Sequence, residues 1–157
     1  MKKFNEIHSC YFLRDRRKKI SLHENGKKYH ATNPDEKYVA QYRVDDPDEQ
    51  NVENKKCDYA LYIFDDEEAK KDDDRLIFIE LKGKDIARAI KQISKSIETW
   101  VVAHDIWPRK MDARVVAAGY PNPKYVRSDE LRLNKTLYKY GKGELKVSSN
   151  GRFEENL

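Results

Sequence analysis

The sequence predicts an α/β (α+β) fold, a central mixed β-sheet flanked by helices. Two strand-like apolar runs, residues 57–64 (CDYALYIF) and 76–82 (LIFIELK), stand close together with an acidic stretch between them, which favours an antiparallel hairpin. Behind them Ile86, Ile90, Ile93, Ile97, Trp100 and Val101 recur at three- and four-residue spacing and form one helical apolar stripe. A third apolar run, 113–118 (ARVVAA), follows that helix, so a strand–helix–strand step adds a parallel crossover to the antiparallel pair.

The elements follow in order. Residues 18–32 read as a β-hairpin: Ile20 and Leu22 alternate with polar residues, Asn25-Gly26 supplies a two-residue turn, and 28–30 returns. Residues 33–36 read as a turn or the start of a short helix, and 41–44 as a strand broken by Asp45-Asp46-Pro47. The acidic stretch 65–74 is a loop. The 76–82 strand is apolar on both faces until its last residues, as expected in the middle of a covered sheet. Asp85 is placed to cap the helix that follows. Residues 121–123 end the third strand, 129–140 form a second helix stopped by Gly141 and Gly143, and 144–148 form a last short strand.

The chain of 157 residues fits one domain, 1–157, with 1–50 as an N-terminal hairpin and extension and 56–148 as the core. Net charge is +4 and both signs are abundant, so a nucleic-acid partner is permitted and not demanded. Cys10 and Cys57 have no CxxC spacing, and His8, His23, His30 and His104 have no HxxxH or HExxH spacing, which speaks against zinc. No glycine-rich phosphate loop is present. Polar residues follow Met1-Lys-Lys and no apolar run could span a bilayer, so the expectation is a cytoplasmic protein with reduced thiols and no membrane partner.

Chemistry concentrates at the end of the 76–82 strand. Side chains alternate, so Glu80 and Lys82 share a face with Leu76 and Phe78. If the hairpin turns near Ala69, Asp58 lies opposite Glu80 and shares its face with Ala60 and Tyr62; a one-residue slip would turn Asp58 away. Two neighbouring carboxylates repel, and a hard divalent cation, Mg²⁺ or Mn²⁺, resolves the repulsion. The expected ligands are Asp58, Glu80 and the Leu81 carbonyl, with Lys82 orienting the attacking water and stabilising charge on a phosphate. The helix that begins at Asp85 should point its free amides to the same end.

This arrangement, Asp58, then Glu80-x-Lys82 at a strand end, then an amphipathic helix containing Gln92, resembles the PD-(D/E)xK, or restriction-endonuclease-like, nuclease superfamily, over residues 56–118. Glu80-Leu81-Lys82-Gly83 also resembles small bacterial proteins of similar length. The resemblance implies a restriction-endonuclease-like core and metal-dependent hydrolysis of nucleic acid, DNA first, by an endonuclease or resolvase. Asp58, Glu80 and Lys82 would be catalytic, and a homodimer would suit cutting of two strands. The chain departs from the pattern at Cys57, where some members have proline, and at Ser96, where the exonuclease branch has tyrosine. An upstream acidic residue could be Glu36, Asp45 or Asp46; Asp45 is preferred because it ends a strand.

Arg16, Arg17, Lys18, Lys19, Lys27 and Lys28 are candidate phosphate contacts, with an ordinary solvated face as the alternative. Tyr29, Tyr38, Tyr42, Tyr120 and Tyr125 are expected to pack half-buried more than to stack on bases. A catalytically inactive nucleic-acid- or protein-binding module on the same fold is the alternative function.

Overall fold

The computed structural model describes residues 4, 13–65, 73–81, 85–118 and 123–157. Nine strands are described: β1 (Leu13–Asp15), β2 (Lys19–Glu24), β3 (Lys27–Thr32), β4 (Tyr38–Arg43), β5 (Tyr59–Phe64), β6 (Arg75–Glu80), β7 (Lys110–Val116), β8 (Leu145–Ser148) and β9 (Arg152–Asn156). Two helices accompany them, α1 (Ile86–Trp100) and α2 (Pro123–Gly141), with short 3₁₀ turns at Val52–Asn54 and Val102–His104. The result is a mixed α+β fold with two sheets, rich in strands.

The larger sheet has the order β1-β4-β5-β6-β7-β8 and the smaller the order β2-β3-β9. The β5–β6 pair is antiparallel and the β6–β7 pair parallel, with α1 in the crossover, so the larger sheet is mixed as the sequence predicts. The central strands are apolar on both faces because both are covered. Ala60, Tyr62, Leu76 and Phe78 share a core with Ile86, Ile90, Ile93 and Ile97 of α1. On the reverse face Leu61, Ile63, Ile77 and Ile79 meet Ile20, Leu22, Tyr29 and Ala31 of the smaller sheet. Two core faces in place of one account for how a chain with so many charges sustains runs such as LIFIEL.

Local chemistry sets the turns and ends. Asn25 and Gly26 both take positive φ, 48° and 76°, the geometry that suits a two-residue hairpin between β2 and β3. The Asp85 side chain accepts the Arg88 amide at 3.0 Å, the expected N-cap of α1. Residues 33–36 form a turn, in which the Glu36 amide bonds the Asn33 carbonyl. Helix α2 starts at Pro123, before the expected residue 129, and proline tolerates a first helical turn because it has no N–H to satisfy. Gly143 is required by close approach: a Cβ there would fall 1.8 Å from the Met111 carbonyl oxygen.

Two strands were not expected from the sequence. β1 adds to the edge of the larger sheet beside β4, and β9 runs parallel to β3 in the smaller one. β9 is tied across the layers by ions. Glu155 bonds Arg114 at 2.6 Å and Arg75 at 3.0 Å, and Asp112 bonds Arg75 at 2.7 Å and the Glu144 amide at 2.9 Å. The hairpin therefore belongs to a sheet of its own that roofs the reverse face. Among the described residues no helix is long and apolar enough to cross a membrane.

Candidate functional site

The pairs Tyr59↔Ile79 and Ala60↔Phe78 set the β5–β6 register, and one further step places Asp58 opposite Glu80. Pleat alternation puts both on the face of Ala60 and Phe78, the face that α1 covers. Asp58 is held on two sides. Its carbonyl accepts the Val44 amide at 3.0 Å, extending the β4–β5 ladder, and its Oδ2 accepts the Leu81 amide at 2.9 Å. Both carboxylate residues are fully buried, each with 0% exposure.

Helix α1 clamps the approach to β5. The Ser96 hydroxyl accepts the Cys57 amide at 2.9 Å and donates to the Gln92 carbonyl at 2.8 Å, while Gln92 Nε2 donates to the Lys56 carbonyl at 3.3 Å. Gln92 thus stands beside the site as a positioning contact on the main chain. Burial pushes the Cys57 thiol well above its ordinary pKa, and the charges of Glu80 and Asp58 push it in the same direction. That thiol is protonated at neutral pH and is no nucleophile.

The pair suits a hard cation by donor chemistry, since two carboxylates and a main-chain carbonyl at Leu81 are oxygen ligands of the kind Mg²⁺ and Mn²⁺ prefer. Among the described residues no three His, Cys, Asp or Glu side chains form a metal-binding group. Lys82 lies outside the described residues, as does most of the acidic loop, 66–72.

Asp45 is not brought to the pair. It is ion-paired with Arg43, which also bonds Glu24 at 3.0 Å and the Tyr59 hydroxyl at 2.7 Å. Arg43 and Tyr59 are register partners one residue out of phase with Asp58, so this group lies on the opposite face of the sheet. Glu36 and Asp46 are not brought there either. Glu36 follows the turn at the far end of β4, and Asp46 caps its own turn by accepting the Asp48 amide at 2.9 Å.

The basic candidates separate into two groups. Arg16 donates to the Glu36 carbonyl at 2.7 Å and lies over Tyr38, Arg17 pairs with Asp15 at 2.7 Å, and the Lys18 carbonyl and Lys19 adjoin Asn33 and Thr32. Tyr38 pairs with Phe64, so this group sits at the end of the sheet opposite Asp58, roughly 20 Å away for a strand of this length. Lys27 and Lys28 are at the other end of the hairpin, near Glu24, whose contacts with Arg43 and Tyr59 hold it at the Asp58 end of the larger sheet but on the reverse face. Tyr29 and Tyr42 are fully buried and Tyr38 is half-buried against Phe64, so these three pack; Tyr120 and the Tyr125 side chain lie outside the described residues.

A groove of about 810 Å³ lies along α1, walled by α2 and residues 52–55. Lys55, Arg88, Lys91, Lys95 and Arg132 line it, interleaved with acidic residues, and Gln92 joins it to Lys56 and so to the neighbourhood of Asp58. The sequence signal for it is the spacing of Arg88, Lys91 and Lys95 off the apolar stripe; that α2 and residues 52–55 would complete the walls has no local signature.

No family model matches the chain, and neither a curated protein nor a solved structure matches it. The reading of the site therefore stands on its own residues.

Proposed function

We propose that this protein is a metal-dependent phosphodiesterase acting on nucleic acid, DNA first, with a restriction-endonuclease-like core. The observation that carries the reading is the placement of Asp58 opposite Glu80 on the α1 side of a mixed sheet, at the strand ends from which α1 departs. An antiparallel pair bearing the two carboxylates, followed by a helix and a parallel strand, is also the arrangement expected of the PD-(D/E)xK resemblance.

Asp58, Glu80 and the Leu81 carbonyl would hold Mg²⁺ or Mn²⁺. Such an ion, when bound, neutralises charge on phosphoryl oxygens and makes a nucleophile available near neutral pH. The Leu81 amide fixes one oxygen of Asp58, so that carboxylate is oriented before any ligand arrives. Ser96 and Gln92 hold residues 56 and 57 and fix where Asp58 begins. Lys82, two residues after Glu80, is assigned the orientation of the attacking water and stabilisation of phosphate charge. Cutting both strands of a duplex calls for two sites, so a homodimer belongs to this reading.

The full enclosure of Asp58 and Glu80 favours a second reading, a non-catalytic nucleic-acid-binding module on the same fold. The two separate on cleavage. Incubation with Mn²⁺ or Mg²⁺ and linear, nicked, branched and single-stranded DNA is expected to give products that disappear in Lys82→Ala and in Glu80→Gln. Intact substrates under all these conditions would overturn the nuclease reading, and binding that needs no metal and weakens with salt would favour the module.

A further inference from the structure

The outward face of the smaller sheet carries a second group of side chains, independent of Asp58 and Glu80. Alternation along β2 and β3 sends Ile20, Leu22, Tyr29 and Ala31 into the core and leaves Ser21, His23, Lys28 and His30 on the outside. Ser21 is the register partner of His30, and His23 that of Lys28, so the two histidines are diagonal neighbours across the strands. Ser21 Oγ lies 2.7 Å from His23 Nε2 and 3.3 Å from His30 Nδ1. The rings stand edge to face with centroids 5.5 Å apart.

Two imidazole nitrogens on different strands thus converge on one small hydroxyl. A hydroxyl has one proton to donate, so it serves both nitrogens only when one of them carries its own proton and donates back; in the tautomers with both lone pairs turned to Ser21, one lone pair is left over. A cation that accepts both lone pairs satisfies both nitrogens together. We propose that His23 Nε2 and His30 Nδ1 form a two-imidazole chelate for a borderline transition cation, Ni²⁺, Cu²⁺ or Zn²⁺, with water completing the coordination. Imidazole is the ligand type these ions favour, at metal–nitrogen distances of about 2.0–2.1 Å for zinc, and Mg²⁺ has no comparable preference for it. The chelate is preorganised: Asn25-Gly26 fixes the register two residues beyond His23, and Ser21 already aims both rings.

The charges that share this face decide its strength. Lys19 on β2, Lys28 on β3 and Arg152 on β9 oppose a cation. Glu154, the β9 register partner of His30, attracts one and is itself paired with Arg152 at 2.8 Å. With two protein nitrogens and this surround, the affinity order should follow Cu²⁺ above Ni²⁺ and Zn²⁺.

The test is calorimetric titration of the untagged full chain with Ni²⁺, backed by NMR of the histidine ring protons. In an Asp58→Asn background, which removes the carboxylate pair as a second cation site, the expected result is one Ni²⁺ per chain, broadening of His23 and His30 resonances before those of His104, and a loss of affinity of about tenfold or more in His23→Ala and in His30→Ala, the size of loss seen even when a residue that only supports a ligand is removed. Melting temperatures without metal should be unchanged in both variants, because both side chains are on the outer face. Ser21→Ala, which removes no ligand nitrogen, should lose less affinity than either histidine variant. Absence of Ni²⁺ uptake by the Asp58→Asn protein, uptake there undiminished by adding His23→Ala and His30→Ala, or a loss in Ser21→Ala as large as in His23→Ala would overturn the two-imidazole assignment.

Discussion

The Leu81 amide donates a 2.9 Å hydrogen bond to Asp58 Oδ2, tying the residue after β6 to the residue before β5. The bond is buried, and Asp58 is fully enclosed. A buried amide left without its acceptor costs about 1–3 kcal/mol. Asp58→Ala is therefore expected to lose about 1–3 kcal/mol in urea denaturation. Asp58→Asn retains an acceptor oxygen and should lose less. Equal losses in the two variants would mean that the acceptor is not what Asp58 contributes to stability.

Asp112 gives a pH-dependent expectation. Burial pushes its carboxyl pKa up, but the Glu144 amide with Arg75 and Arg114 outweighs burial and holds it below the ordinary carboxylate value. A depressed folded pKa means that the unfolded chain takes up the proton first as pH falls. The stabilisation is thus complete above the unfolded value, about 3.9, and is lost as pH drops from there through the folded value. In Asp112→Asn this acid-dependent loss should be smaller, and stability at neutral pH should fall by about 3 kcal/mol, because an arginine pair loses one of its buried counter-charges. Thermal denaturation across the acid range checks both. Parallel pH curves for wild type and variant would contradict the assignment.

Cys57 should be inert while the protein is folded. Its thiol is enclosed, and burial with the charges of Glu80 and Asp58 opposes the reactive thiolate. In a Cys10→Ser background, which leaves a single thiol, a disulfide reagent is expected to label Cys57 only as fast as the chain opens. In denaturant labelling should be immediate. Rapid stoichiometric labelling of the native protein would contradict the enclosed site.

The parts of the fold legible in the sequence are those fixed by local pattern. Asn25-Gly26 marks the hairpin, the Ile86–Ile97 stripe marks α1, and two apolar runs around one acidic loop give the register that sets Asp58 opposite Glu80. β9 was not legible because its burial rests on Glu155 meeting Arg75 and Arg114, residues distant in sequence that only the folded layers bring together. Asp45 adjoins β4 in sequence, but the pleat turns Arg43 and Tyr59, and Asp45 with them, to the other face. The basic run 14–19 directly precedes the hairpin, yet it occupies the end of the sheet remote from the site, and sequence proximity carries no information about which end a strand presents. The groove beside α1 is likewise assembled from three segments that share no local signature.

The proposal that Asp58 and Glu80 jointly hold a divalent cation is read out by calorimetric titration with Mn²⁺. The expected result is saturable Mn²⁺ uptake by the wild-type chain that is lost in Asp58→Asn and in Glu80→Gln while both variants remain folded, and that persists in His23→Ala/His30→Ala. Absence of uptake by the wild-type chain, or uptake undiminished in Asp58→Asn and Glu80→Gln, would contradict it.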